Sequence, residues 1–172
     1  MKRFLLLLLA LPVVGGLSSC SSQVEAKRPV SYHFESGKTA MLQGGLAYAP
    51  RNAPDAVKRA VAAGNRLQGK PYKWGGGHAN GEDWGYDCSG TVSYVLRSAG
   101  LMKGVGTSKD YFSYGNKGEG RWITIYTRKG HVFMTIAGLR LDTGGRGGGD
   151  GPRWRPQTRS AKGTVMRHPD GL

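Results

Sequence analysis

Apolar residues recur at helical spacing twice along the chain. Val57, Ala60, Val61, Gly64 and Leu67 share one face of a segment opened by Asn52 and Pro54 and closed by Gly69 and Pro71, which predicts a packing helix. Val92, Val95, Leu96 and Ala99 define a second helix, with Asp87 as its N-cap and Gly100 as its stop. Beyond Gly120 the period falls to two. Residues 122–127 predict a strand, 128–130 a turn, 131–137 with 139–143 a hairpin, and 162–168 a last strand. The connections are a glycine-rich turn at 71–77 that leads toward the second helix, a polar loop at 78–83, a loop over 100–120, and a nearly all-glycine run at 144–151 that reads as mobile. Residues 21–53 show little periodicity and read as a tether with an irregular arm that spaces the domain from its anchor. Tyr32, His33 and Phe34 offer a short edge strand there.

Parity decides which side chains meet across the hairpin. Val132, Met134 and Ile136 make one apolar face, and Leu139 and Leu141 join it only if Ala137 and Gly138 form a two-residue turn. The opposite face then carries His131, Phe133 and Thr135 with Arg140 and Asp142. In that register Asp142 falls diagonal to His131, at a Cβ separation of roughly 7 Å or less. A carboxylate so placed orients an imidazole, which is how a general base is held.

The first residues describe export. Lys2 and Arg3 precede an apolar run, and small residues lead to Leu17-Ser18-Ser19-Cys20, so residues 1–19 read as a signal peptide too short to span a membrane. The tetrapeptide resembles the lipobox of bacterial lipoproteins, which implies acylation of Cys20 and membrane attachment through that lipid. Cleavage nearby, leaving Cys20 a plain thiol, is the alternative. Ser21 and Ser22, by the same resemblance, imply sorting to the outer membrane, facing the periplasm. Without Lys2 and Arg3 the exported chain has 23 basic residues against 11 acidic ones, a net +12. Its field favours anionic envelope polymers, although charge that merely solubilises the domain is the simpler reading. Export, and the lack of any helix-turn-helix, zinc-finger or basic-zipper pattern, argue against nucleic acid as a partner.

Candidate chemistry centres on Cys88. Placed in the first turn of the second helix, its thiol meets unpaired N–H groups and the positive end of the dipole, which favour a thiolate. It stands four residues before Val92 and so leans toward the buried face. A lone cysteine is commonly inert core filler. Here it is the only thiol of the mature domain, in an oxidising compartment that offers it no disulfide partner, and catalysis accounts for its presence. Cys88, His131 and Asp142 together make a nucleophile, a base and an orienter. No metal or cofactor is called for, because the histidines and the single domain cysteine show no ligand spacing.

The order helix, Pro71-Tyr72, Gly75-Gly76, Asp87-Cys88-Ser89-Gly90, helix, strand, Gly130-His131-Val132 resembles the NlpC-type family of papain-like cell-wall cysteine peptidases. The resemblance covers about residues 53–172, after the signal peptide (1–19) and the lipidated arm (20–52). It implies an α+β, papain-like single domain whose nucleophile helix packs on an antiparallel sheet. It also implies hydrolysis of peptidoglycan stem peptides, typically at the D-γ-glutamyl bond to a diamino acid. Cys88 matches the nucleophile and His131 the base, while Asp142 falls where the family places a third polar residue. Tyr72 matches a tyrosine beside the oxyanion, and Asp87 and Ser89 fall in the substrate-binding motif, although capping alone explains Asp87 equally well. Trp74 and Trp84 are candidates for stacking on sugar rings or for plain packing. An amidase or acyltransferase on the same Cys-His chemistry, or a non-catalytic basic envelope lipoprotein, are the competing expectations.

Overall fold

The computed structural model describes residues 23–79, 82–144 and 150–172. Helix α1 (Asp55–Arg66) packs against helix α2 (Cys88–Ala99), and α2 lies on a six-stranded antiparallel sheet. Its strands are β3 (Asn116–Lys117), β4 (Ile123–Arg128), β5 (His131–Ile136), β6 (Leu139–Asp142), β7 (Arg153–Arg155) and β8 (Val165–His168), in spatial order β3-β8-β4-β5-β6-β7. A separate hairpin, β1 (Met41–Gln43) with β2 (Leu46–Tyr48), precedes α1. The α+β class that the resemblance implied is the class observed. No helix among the described residues is long and apolar enough to cross a membrane.

The expected parity is the packing that forms. Ile136 pairs with Leu139 and Met134 with Leu141, so Ala137 and Gly138 are the two turn residues, both with positive φ (45° and 75°). That register puts Ile123, Ile125, Val132, Met134, Ile136, Leu139 and Leu141 into one core with Val92, Val95, Leu96 and Ala99 of α2. Tyr126 and Phe133 stack on the other face, ring centroids 4.8 Å apart, with Val30 and Ala161.

Helix α2 begins and ends as its sequence directs. The Asp87 carboxylate accepts from the Gly90 N–H at 2.7 Å, and Gly100 closes the helix in the left-handed region at φ 76°. Helix α1 differs slightly at its start: Pro54 is the N-cap and Asn52 lies in the preceding turn. Gly90 is required by proximity, since a Cβ there would collide with the Gly76 carbonyl, which is backbone and cannot rotate away. Gly90→Ala is therefore expected to cost about 1–3 kcal/mol of stability, read from the urea midpoint.

Residues 24–31 differ from the expected spacer. Met166 N–H donates to Val24 O and Ala26 N–H to Thr164 O, each at 3.0 Å, while Val30 and Arg159 exchange backbone hydrogen bonds of 2.8 and 2.9 Å. This arm lies along the domain rather than holding it away from an anchor. Pro29 lacks an N–H, which limits the pairing to isolated bridges at Glu25 and Val30. The edge strand expected at Tyr32, His33 and Phe34 does not form: Tyr32 spends its hydroxyl on Ala40 O at 2.8 Å, and His33 and Phe34 are exposed. The proposed signal peptide and Cys20, and residues 145–149 of the glycine run, lie outside the described residues.

Candidate active site

Three segments meet at the start of α2. Tyr72 and Tyr86 form a parallel bridge, with Tyr86 N–H donating to Pro71 O at 3.0 Å and Lys73 N–H to Tyr86 O at 3.3 Å. Gly75 N–H donates to Asp87 Oδ2 at 3.0 Å, and Asp87 N–H to Gly76 O at 3.2 Å. The glycine turn is thus fastened to the helix cap, and its tyrosine is carried to the vicinity of Cys88. Burial raises the pKa of the Tyr72 hydroxyl, and the nearby Cys88 and Asp87 side chains push it further up. Cys88 is a free, half-buried cysteine that packs against the edge of the core. It opens the helix, so its own N–H has no intrahelical acceptor.

Asp87 does more than cap. Its carboxylate also accepts from Ser89 Oγ at 3.1 Å and meets His78 Nε2 at 3.1 and 3.2 Å, and Ser89 Oγ lies 3.2 Å from the same ring nitrogen. His78, read from the sequence only as part of a polar loop, therefore belongs to this cluster. The structure joins Asp87 and Ser89 in one hydrogen-bonded group beside the thiol.

The second half of the site comes from the hairpin. His131 Nε2 lies 3.0 Å from Asp142 Oδ1, the diagonal contact that the strand register demands. With Nε2 committed to the carboxylate, Nδ1 is the ring nitrogen left for sulfur. Burial pulls the imidazole pKa down, but hydrogen bonding to Asp142 and Cys88, joined by their charges, outweighs it and holds the ring at about 9. An imidazolium that titrates at about 9 in the folded chain and at 6.5 when unfolded stabilises the fold fully below pH 6.5. The contribution, on the order of 3 kcal/mol, is lost as pH rises through 9, so urea midpoints are expected to fall between pH 6.5 and 9.5. His131→Gln should flatten that fall.

Asp142 has a fully buried side chain, and its second oxygen is held by two cations, Arg140 from the same hairpin face and Arg159, which the sequence did not connect to it. Arg140 Nη1 donates to Oδ2 at 2.6 Å, and Arg159 Nη1 makes an ion pair with the same oxygen at 3.0 Å. Burial lowers the Arg140 pKa; the Asp142 charge opposes this, and the Arg159 and Arg155 charges add to it.

Trp74 and Trp84 are not core, unlike Trp122 and Trp154. Trp74 is 87% exposed, and Trp84 is 64% exposed with Lys73 Nζ 5.1 Å from its ring centroid. Lys73 also pairs with Asp83 at 3.1 Å, which helps hold the Asp83 carboxylate at about 2, after the Gly77 N–H. A groove of about 680 Å³ opens elsewhere, between residues 24–31 and the side of the sheet carrying Tyr126, Thr135 and Met166. It contains none of Cys88, His131 or Asp142, and so is separate from the cluster at the start of α2. Among the described residues no group of three or more His, Cys, Asp and Glu side chains is placed to hold a metal ion.

Compared with known proteins, the chain matches no protein-family model and no curated protein. What the site can do chemically is therefore argued from its own atoms. A thiol, an imidazole and a buried carboxylate in series can carry a nucleophilic acyl transfer.

Proposed function

We propose that this protein is a papain-like cysteine peptidase that hydrolyses peptidoglycan stem peptides, with the D-γ-glutamyl bond to a diamino acid as the favoured target. The single observation that carries the reading is the His131 ring, held 3.0 Å from the buried Asp142 carboxylate and raised in pKa by both that carboxylate and the Cys88 side chain. The substrate class follows from the resemblance of Asp87-Cys88-Ser89-Gly90 and Gly130-His131-Val132 to the NlpC-type peptidases. Attachment to the envelope through a lipid on Cys20, on the periplasmic side of the outer membrane, belongs to the same proposal.

In the reacting state the proton of Cys88 resides on His131, as the raised imidazole pKa favours, and the sulfur attacks the scissile carbonyl carbon. The carbonyl π electrons move to oxygen, and the oxyanion accepts hydrogen bonds from the Cys88 N–H and the Tyr72 hydroxyl. As the intermediate collapses, the C–N bond breaks and His131 protonates the departing amine. Neutral His131 next removes a proton from water, which attacks the thioester. The second intermediate collapses with cleavage of the C–S bond, the acid leaves, and the sulfur is freed with the proton held on His131. Asp142 holds the ring in one orientation and stabilises its charged form.

Digestion of purified sacculi followed by mass spectrometry of the soluble muropeptides tests this directly. Fragments with a newly exposed diamino-acid amine are expected. Cleavage at the sugar–peptide amide would assign an amidase instead, and an absence of fragments would remove the catalytic reading.

A further inference from the structure

The Asp142 carboxylate is oversupplied with positive charge. Arg140 already gives Oδ2 a short hydrogen bond at 2.6 Å, yet Arg159 brings a second guanidinium to that oxygen at 3.0 Å. A second cation on a carboxylate that is already paired adds little stability and repels the first. The Arg140 bond already turns Oδ1 toward His131; what Arg159 adds is a positive charge that, through the shared carboxylate, opposes protonation of the ring. Arg159 itself is held in two ways. Its guanidinium lies 4.9 Å from the Phe133 ring centroid, and its backbone exchanges hydrogen bonds of 2.8 and 2.9 Å with Val30 of the N-terminal arm. Ser31 Oγ and Thr158 Oγ1, 3.3 Å apart, extend the same seam.

We propose that Arg159 is a positioning residue for the His131–Asp142 pair, and that the N-terminal arm, through Val30, holds it in register. The arm is then a working part of the site. The proposal rests on reading Cys88 and His131 as a reacting pair, and it deepens that reading by adding a residue from a loop and a segment outside the motif-bearing region. The charged or titratable groups around the ring are few. Cys88 comes from α2, Asp142 and Arg140 from β6, and Arg159 from the loop before β8. Arg155 of β7 reaches the Asp142 backbone oxygen at 3.3 Å, and Arg128 of β4 faces His131 in register but is exposed.

The test follows the His131 titration by NMR in the full exported chain, with Cys88→Ala as parent so that the thiol does not mix into the curve. His131→Gln assigns the resonance among the four histidines. Arg159→Met keeps an apolar contact over Phe133 and removes the charge, and is expected to raise the His131 midpoint by about one pH unit. Arg159→Lys, which restores the charge, should return most of the shift. Val30→Pro deletes the N–H that donates to Arg159 O and should raise the midpoint in the same direction with Arg159 intact. Val30→Gly keeps that N–H but loosens the arm. It should give a smaller rise, and it serves as the readout if the proline variant does not fold.

A midpoint unmoved by Arg159→Met overturns the positioning role. A midpoint that responds to Arg159→Met but to neither Val30 variant overturns the part given to the arm. The titration needs no substrate, so it separates this proposal from the peptidase reading. If the wild-type chain releases no muropeptides while the midpoints shift as described, the peptidase reading falls and the clamp stands.

Discussion

Cys88→Ala is expected to abolish muropeptide release from purified sacculi, a loss of more than about 10⁴-fold, with the fold intact. The sulfur is half-buried at the first position of α2 and carries none of the hydrogen bonds that define the cap, which belong to Asp87. Its removal leaves a small space and no orphaned partner in the backbone. Cys88→Ser should lose activity to a similar degree, because an alcohol surrenders its proton to an imidazole far less readily than a thiol does. Circular dichroism and urea midpoints check the fold, and quantified muropeptides check the chemistry. Either variant digesting sacculi near the wild-type rate would sink the nucleophile assignment.

Asp142→Ala is expected to be the most damaging single change to stability, costing about 3–5 kcal/mol. The side chain is fully buried and is the anion for both Arg140 and Arg159. Deleting it leaves two guanidinium groups facing each other without their counter-ion, at a site where Arg140 is 6% exposed. Activity should also fall, by at least about 10²-fold, because the ring loses its orienting acceptor. The two losses can be separated. Replacing Asp142, Arg140 and Arg159 together by apolar residues of similar volume is expected to recover much of the urea midpoint and none of the activity. Failure to recover stability would show that the cluster holds the fold by means other than charge balance.

The parts of this site that sequence could show are those fixed by short-range periodicity. Capping at Asp87, the stop at Gly100 and the spacing of Val92, Val95, Leu96 and Ala99 are local, and they placed Cys88 correctly in the first turn. The strict period of a strand and the two residues available for a turn were enough to put Asp142 diagonal to His131. Arg159 and His78 had no such signal. Each lies in irregular chain, and its partner is chosen by tertiary approach, 17 residues away for Arg159 and 9 for His78. The β1–β2 hairpin has a local signal too: Gly44 and Gly45, with φ of 58° and 80°, sit between two short runs that pair in register. In β7 the alternation Arg153, Trp154, Arg155 is a strand signal of three residues, too short to stand out from the basic loop around it. Trp74 and Trp84 show the opposite limit, since hydrophobic character alone does not reveal that a ring faces solvent.

The counter-ion arrangement beneath the imidazole also constrains how such a chain can change over time. An acid shared by two guanidinium groups cannot drift to a neutral residue one mutation at a time without an unstable intermediate. Descendants that keep the scaffold but lose the acid should therefore have exchanged the arginines in step with it, and those that retain both arginines should retain the acid as well.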